Sequence, residues 1–296
     1  DLQRRRATAK APIAAWYAGT TPGAFFFAPD QHGPREDALR PFGDAIAEYA
    51  DVARAGRPRL FGREVAPTGS IPDWHRDYST GRRAPLRAWA TVQHRSPEVV
   101  GNIKYIWELN RHAHLVDLAR FVWLTGDAAA AESLELQLDD WIAANPYLMG
   151  VNWGHGLEHA IRLMSWSWIA HLAPPRSPAV RDAFAHSVAL QAHVLSRYLS
   201  FGSSANNHLI GEAAGLFICS LAFRNLRRAR AYQAQARAIL EREILRQTFP
   251  DGGIRELASG YLLFDIECFQ LCDLLATRAG HPFSFSYRRR LTRMER

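Results

Sequence analysis

Lysine is almost missing from this 296-residue chain: Lys10 and Lys104 are its only two, so nearly all of the 36 basic residues are arginine. Arginine binds carboxylate, sulfate and phosphate through a planar, bidentate fork, so the formal charge of +7 suits an acidic ligand. Nucleic acid, a membrane surface and an anionic sugar all meet that description. Other absences narrow the choice. There is no zinc-finger spacing, no Rossmann fingerprint and no phosphate-binding loop, and the basic residues are scattered, which argues against nucleic acid. Cysteine is scarce and odd in number (Cys219, Cys268, Cys272), which excludes a disulfide framework and leaves buried free thiols as the reading. No apolar run approaches the ~20 residues of a membrane span. The longest, "GLFICSLAF", contains small residues and ends at Arg224, as a core helix would. The chain opens at Asp1 with no visible signal peptide.

Strand-like alternation is also absent beyond residue 100, where apolar residues recur at helical spacing. "VVGNIKYIWELNRHAHLVDLARFVWL" carries Ile103, Ile106, Trp107, Leu115, Leu118, Ala119 and Val122 on such a pattern. It ends at "TGD", where Gly126 suits a left-handed C-cap and Asp127 the next N-cap. Further helical segments follow, separated by "NP", "APPRSP", "SFGSS" and "PDGG". Short connections and the lack of a fixed repeat predict antiparallel helical hairpins rather than a solenoid. Residues 1–99 divide differently, into a basic helix (about 2–18), an amphipathic helix (about 36–55) and a loop-rich arm with turn signals for a short hairpin. Residues 100–296 form the helical domain.

Four groups of residues could carry chemistry. In "SSANNHLIGEAAGLF", Ser204 or Asn206 suits an N-cap, which puts Asn207 and His208 in the first turn. Free backbone N–H groups and the helix dipole favour an anion there, and the Asn207 amide can donate to a carboxylate. In "DGGIRELASGYLLF", a Gly-rich loop leads Arg255 and Glu256 into a helix start, with Tyr261 beside them; a core tyrosine and a proton-transfer tyrosine both fit. In "WELNRHAHL", Glu108 and His112 are four apart, as are Trp107 and Arg111; an ion pair with cation–π packing accounts for this without function. "NWGHGLEHAIRLMSW" holds His155 and His159 at metal-ligand spacing but offers no third ligand, so no metal is expected.

In this order and spacing, "NIKYIWELNRHAHLVDLAR", "NWGHGLEHAIRLMSW", "SSANNHLIGEAAGLF" and "DGGIRELASGYLLF" resemble the helical domain of heparinase II/III-type polysaccharide lyases. The preceding "DWHRDYSTGRRAPLRAW" resembles the arm those proteins carry, so the likeness runs from about Asp73 to Phe264. It implies an all-α, incomplete (α/α) toroid of antiparallel helix pairs with a sugar-binding cleft, and β-elimination at a uronic acid. Asn207 and His208 fall on the family's asparagine-histidine motif and would neutralise the substrate carboxylate, with His208 a candidate base. Tyr261 falls on the family's tyrosine, as acid and candidate base. Trp107, Asn110, Arg111, His112, Trp153 and Arg255 are candidates for substrate binding.

Two positions depart from the pattern: Leu257 stands where glutamine is common and Leu262 where histidine is common. The chain also stops at "SFSYRRRLTRMER", about where the family's β-sandwich would begin; that domain supplies a further histidine and sometimes a metal. The expectations are therefore no cofactor within this chain, an acidic polysaccharide or oligosaccharide as partner, a β-sandwich domain or separate chain as another, and a periplasmic or secreted location. Two rival readings remain at this point: a glycan-binding or inactive toroid remnant, and a glycoside hydrolase using Glu108 and Glu256 as its carboxylate pair.

Overall fold

Capping residues punctuate the helices much as the sequence indicates. The computed structural model describes residues 25–26, 41–66, 69–202 and 204–296. The helix expected at about 2–18 lies outside them. Helix α1 spans Gly43–Arg54, within the expected amphipathic segment, and the two-residue strands β1 (Arg59–Leu60) and β2 (Arg63–Glu64) form the short antiparallel hairpin of the arm. Then come α2 (Ile103–Asn110), α3 (Ala113–Thr125), α4 (Ala128–Ala144), α5 (Gly156–Leu172), α6 (Pro178–Arg197), α7 (Asn207–Ala222), α8 (Ala229–Arg246), α9 (Ser259–Arg278) and α10 (Phe285–Met294). Gly126 adopts the left-handed conformation that ends α3, and the Asp127 carboxylate accepts the Ala130 N–H at 2.7 Å to open α4.

One long periodic segment is broken where its spacing alone shows no break. Residues 97–125 form a single turn (Pro97–Val100) and then α2 and α3, because Gly101 and His112 both take positive φ, 70° and 64°. Gly101 is required there. A Cβ would stand 2.4 Å from Oδ2 of Asp77, a buried carboxylate that accepts hydrogen bonds from Ser79, Thr80 and the Asn102 backbone N–H. Asp77 thus fastens the arm to the start of α2.

The described residues divide into two compact units. The first contains His159–Met164 and Gln191–Arg296; the second contains the described residues from 41 to 158 together with Ser165–Leu190. In the second unit α1, α3 and α4 pack together, over an aromatic core that includes Trp74, Trp141, Trp166 and Phe184. Trp166 stacks on Phe184 at 4.5 Å and meets Trp141 edge-on at 5.3 Å, geometries that aromatic quadrupoles favour.

In the first unit α7 packs against α8 and α9, and its residues from Leu209 to Ala222 are all buried. A helix that is apolar on every side belongs at the centre of its unit. Gly215 admits a close approach, since a Cβ there would lie 2.6 Å from the Ala160 carbonyl oxygen and 2.7 Å from its Cα.

Three acids share this interior. Glu243 is held by Arg242, Arg246 and Gln247. Glu212 accepts the Ser200 N–H and hydroxyl, both at 2.7 Å, which ties α7 to the loop before it; burial still pushes its carboxyl up to about 7. Asp265, on α9, is 1% exposed, and its Oδ1 has no hydrogen-bond partner among the described residues. Burial, and then the charge of Glu256, push it up to about 7.

Two predictions follow from this interior. Replacing a mid-helix glycine by alanine ordinarily stabilises by about 1 kcal/mol. Gly215→Ala should instead destabilise by about 1–3 kcal/mol in urea unfolding, because the new methyl meets backbone; a stabilised variant would show that the helices separate freely there. For Asp265, a raised pKa means that the folded chain binds its proton more tightly. Its contribution is complete below the ordinary carboxylate range and is lost as pH rises through about 7. Asp265→Asn should therefore flatten the fall in stability between about pH 4 and 7, and an unchanged slope would contradict the assignment.

Candidate active site at the mouth of helix α7

The first unit holds Asn207, His208, Arg255 and Tyr261; the second holds Trp107, Asn110, Arg111, His112 and Trp153. At the start of α7, Asn206 is the N-cap, its side-chain oxygen accepting the His208 N–H at 3.2 Å. Asn207 and His208 occupy the first turn, as the sequence implies.

An anion does sit at this helix mouth, and it belongs to the protein. The Glu256 carboxylate accepts the Asn207 backbone N–H at 2.9 Å through one oxygen and the Asn207 side-chain amide at 2.7 Å through the other. One residue thus supplies two donors to one carboxylate, which fixes both its backbone and its amide orientation. Charge-assisted bonds of this type are roughly twice as strong as neutral ones, and the helix dipole adds to them. Asn207 is 5% exposed, yet its amide nitrogen carries a second hydrogen beyond the one given to Glu256.

Glu256 reaches this position because it is not in a helix. The sequence suggests a helix start near Arg255 and Glu256; the structure begins α9 at Ser259, and Leu257 turns the chain with φ of 52°. Thr248 and Ile254 bridge across the Gly-rich loop, where Gly252 has φ of 104° and no room for a Cβ against Arg293. Glu256 and Gly260 therefore do not share a helical face. Tyr261 stands in the first turn of α9, 51% exposed, in contrast to a packed core tyrosine.

Two arginines add positive charge at this mouth. Arg246 donates to the Ala205 carbonyl at 3.1 Å, and the exposed Arg255 donates to the Arg246 carbonyl at 2.7 Å while lying 4.7 Å over the Phe249 ring. Beneath the mouth, Asp265 feels the charge of Glu256.

In the second unit most of the expected binding residues are built into the interior. Asn110 is 1% exposed: its amide donates to the Trp74 and Ile106 carbonyls at 2.8 and 2.7 Å, and its oxygen accepts from Trp141 at 2.6 Å and Asn152 at 2.9 Å. Those four bonds fill its hydrogen-bonding capacity. His112 is fully buried, accepts from the Trp166 indole at 2.8 Å, and lies among Trp74, Trp141 and Trp166. Trp153 is 3% exposed and donates to the Asn145 carbonyl.

The expected Glu108–His112 and Trp107–Arg111 pairs do not share a helix, since α2 ends at Asn110. Arg111 instead grips Glu158 bidentately at 2.8 and 2.9 Å and Glu108 at 2.9 Å. The half-buried Trp107 packs on His155 at 5.1 Å and donates to the Val151 carbonyl. Among the described residues no group of three or more His, Cys, Asp or Glu side chains gathers to hold a metal.

Comparison with known proteins agrees with this architecture. A heparin-sulfate lyase from Bacteroides stercoris is 27% identical over 201 residues, which is 60% of this chain and 30% of that protein. A crystal structure of heparinase III superposes with a TM-score of 0.68 at 16% identity, over 99% of this chain and 43% of the other. The heparan sulfate lyase HepC from Pedobacter heparinus gives 0.62 at 20% identity, over 99% of this chain and 42% of its own. This chain thus spans less than half the length of each of these proteins. The fold that this chain shares with part of them is all-α, an incomplete (α/α) toroid of antiparallel helix pairs. The family described as Heparinase II/III N-terminus matches residues 84–295, well over half the sequence, and the chain belongs to it.

Proposed function

We propose that this chain is the helical part of a polysaccharide lyase that cleaves a uronic-acid-containing acidic glycan by β-elimination. Heparan sulfate is the first substrate to try, because relatives of this chain are named for acting on it. The observation that carries the reading is the double hydrogen bond between Asn207 and Glu256, which orients an amide donor at a helix N-terminus beside Arg246 and Arg255.

In this reading the second amide hydrogen of Asn207 donates to the C5 carboxylate of the uronate. The C5 proton is too weakly acidic to leave until that carboxylate can accept charge, so a donor aimed there stabilises the enolate-like intermediate. A base, Tyr261 as phenolate or His208, takes the C5 proton. The electron pair forms the C4–C5 double bond, the C4–oxygen bond breaks, and the Tyr261 hydroxyl protonates the leaving oxygen. Glu256 holds Asn207 in register. Its negative charge would repel the incoming carboxylate by about 3 kcal/mol at 5 Å and an effective dielectric of 20. The cationic field of Arg246 and Arg255 opposes that repulsion. Arg255, on the same unit as Asn207 and Tyr261, is exposed and open to a ligand.

A hydrolase on the same scaffold would need one protonated and one ionised carboxyl flanking the bond. Glu108 is ion-paired to Arg111 and Glu256 is doubly hydrogen-bonded by Asn207, so both carboxylates are engaged by the protein itself.

The test is absorbance at the unsaturated uronate band with heparan sulfate, using the protein in its full natural length. A lyase creates that chromophore, a hydrolase only reducing ends, and a pure binder neither. Asn207→Ala should cost roughly 3 kcal/mol, about a hundredfold in kcat. Tyr261→Phe should cost about a hundred- to ten-thousandfold with Tm unchanged, since ring volume is conserved. Full activity in Tyr261→Phe would remove the tyrosine from the mechanism.

A further inference from the structure

Between Glu212 and Glu241 the sequence contains no acidic residue and five arginines: Arg224, Arg227, Arg228, Arg230 and Arg237. The first four are exposed, at the connection between α7 and α8 and at the start of α8. None of those four has an ion-pair partner within 4 Å among the described residues. Like charges so close in sequence repel one another unless an anion joins them.

A cavity of about 430 Å³ opens beside this cluster, lined by Arg230, Gln233, Ala234, Arg237, His281 and Pro282. Arg237 is fixed in place. It donates to the His281 carbonyl at 2.7 Å and to the Pro282 carbonyl, and its guanidinium lies 4.5 Å over the buried Phe283 ring. A guanidinium so held loses little entropy on meeting an anion. The nearest acid along α8, Glu241, is already taken by the Ser284 N–H and hydroxyl, and lies 3.9 Å from Arg237.

The candidate active site lies at the other end of this helical hairpin. Arg246 and Gln247, at the C-terminal end of α8, donate to the Ala205 and Asn206 carbonyls. The arginine cluster is at the N-terminal end of α8, which at 1.5 Å per residue is about 27 Å away.

We infer that Arg224, Arg227, Arg228 and Arg230, with the Arg237–His281 cavity, form a second binding surface for a polyanionic, sulfated or carboxylated glycan. It lies remote from the mouth of α7 and retains the polymer while the mouth acts on it. The choice of glycan as the polyanion rests on the proposed function. Charge and cavity also favour it over nucleic acid: the lining offers exposed cations and an amide that can meet sugar hydroxyls, and no aromatic face on which a base could stack.

The experiment combines Arg227→Ser, Arg228→Ser and Arg230→Ser in one variant, on the background of Asn207→Ala so that elimination consumes the probe about a hundredfold more slowly. The probes are a long fluorescent heparan sulfate chain, a heparan sulfate tetrasaccharide and an oligodeoxynucleotide of length matched to the long chain, followed by anisotropy across salt concentrations. The arginine variant should bind the long chain at least about tenfold more weakly at low salt, and its log–log salt slope should fall by about two to three units, as counterion release requires. Tetrasaccharide binding and Tm should be unchanged. Equal long-chain affinity in the two proteins, or tighter binding of the oligodeoxynucleotide than of the glycan, would overturn the inference. Failure here is separable from failure of the proposed function. Arginine-dependent glycan binding without any elimination by the protein carrying no substitution removes the lyase reading and keeps the surface, whereas elimination by that protein with arginine-independent binding does the reverse.

Discussion

One carboxylate at the open end of one helix organises the first unit of this protein. Helix α7 is buried along nearly its whole length, so its first turn has to satisfy its free N–H groups in a restricted space. Asn206 answers for one of them and Glu256 for another, and Glu256 takes the Asn207 amide as well. This contact joins elements distant in the chain: the mouth of α7, the Gly-rich loop and the start of α9. Because Gly252 and Leu257 both take positive φ, the loop can double back and present Glu256 where a regular helix start would carry it away.

The polar groups around this contact are held to different degrees. Glu243 has three donors, and Glu212 has the two groups of Ser200. Asp265 has an orphan oxygen and the charge of Glu256 nearby. A buried carboxyl in that position is neutral more readily than an exposed one, which limits the negative charge that accumulates under the helix mouth. In the second unit the same physics serves rigidity. Asn110, Asn145 and Asn152 are linked through the Asn152 amide, and the network reaches Trp141 and the backbone, so these buried polar groups favour one packing.

Helical periodicity and capping residues made much of the fold legible in the sequence. Gly126 and Asp127 end one helix and begin the next as their residue types require, and Asn206 caps α7. The break after Asn110 was not legible, since apolar spacing continues through it and only the left-handed conformation of His112 interrupts the helix. Asn110 and His112 look like ligand-facing polar residues on a pattern; they are the polar part of a buried core, and composition cannot separate those cases. Glu256 was visible as a residue type, but its partner was not, because the two are 49 positions apart and the turn at Leu257 has no strong signature. Asp265 did leave a signal: it is an acid set among the apolar residues of "LLFDI", one turn beyond Tyr261.

The most direct measurement of whether Glu256 works by orienting Asn207 is a double-mutant cycle on the rate of elimination, using Asn207→Ala, Glu256→Ala and the pair in the full-length protein. Residues that act through one another show large coupling, whereas independent residues add in free energy. If the account is right, Glu256→Ala slows the reaction in the parent but costs almost nothing further once Asn207 is alanine. Losses that multiply across the two substitutions would contradict it, because Glu256 would then act on the reaction by a route of its own.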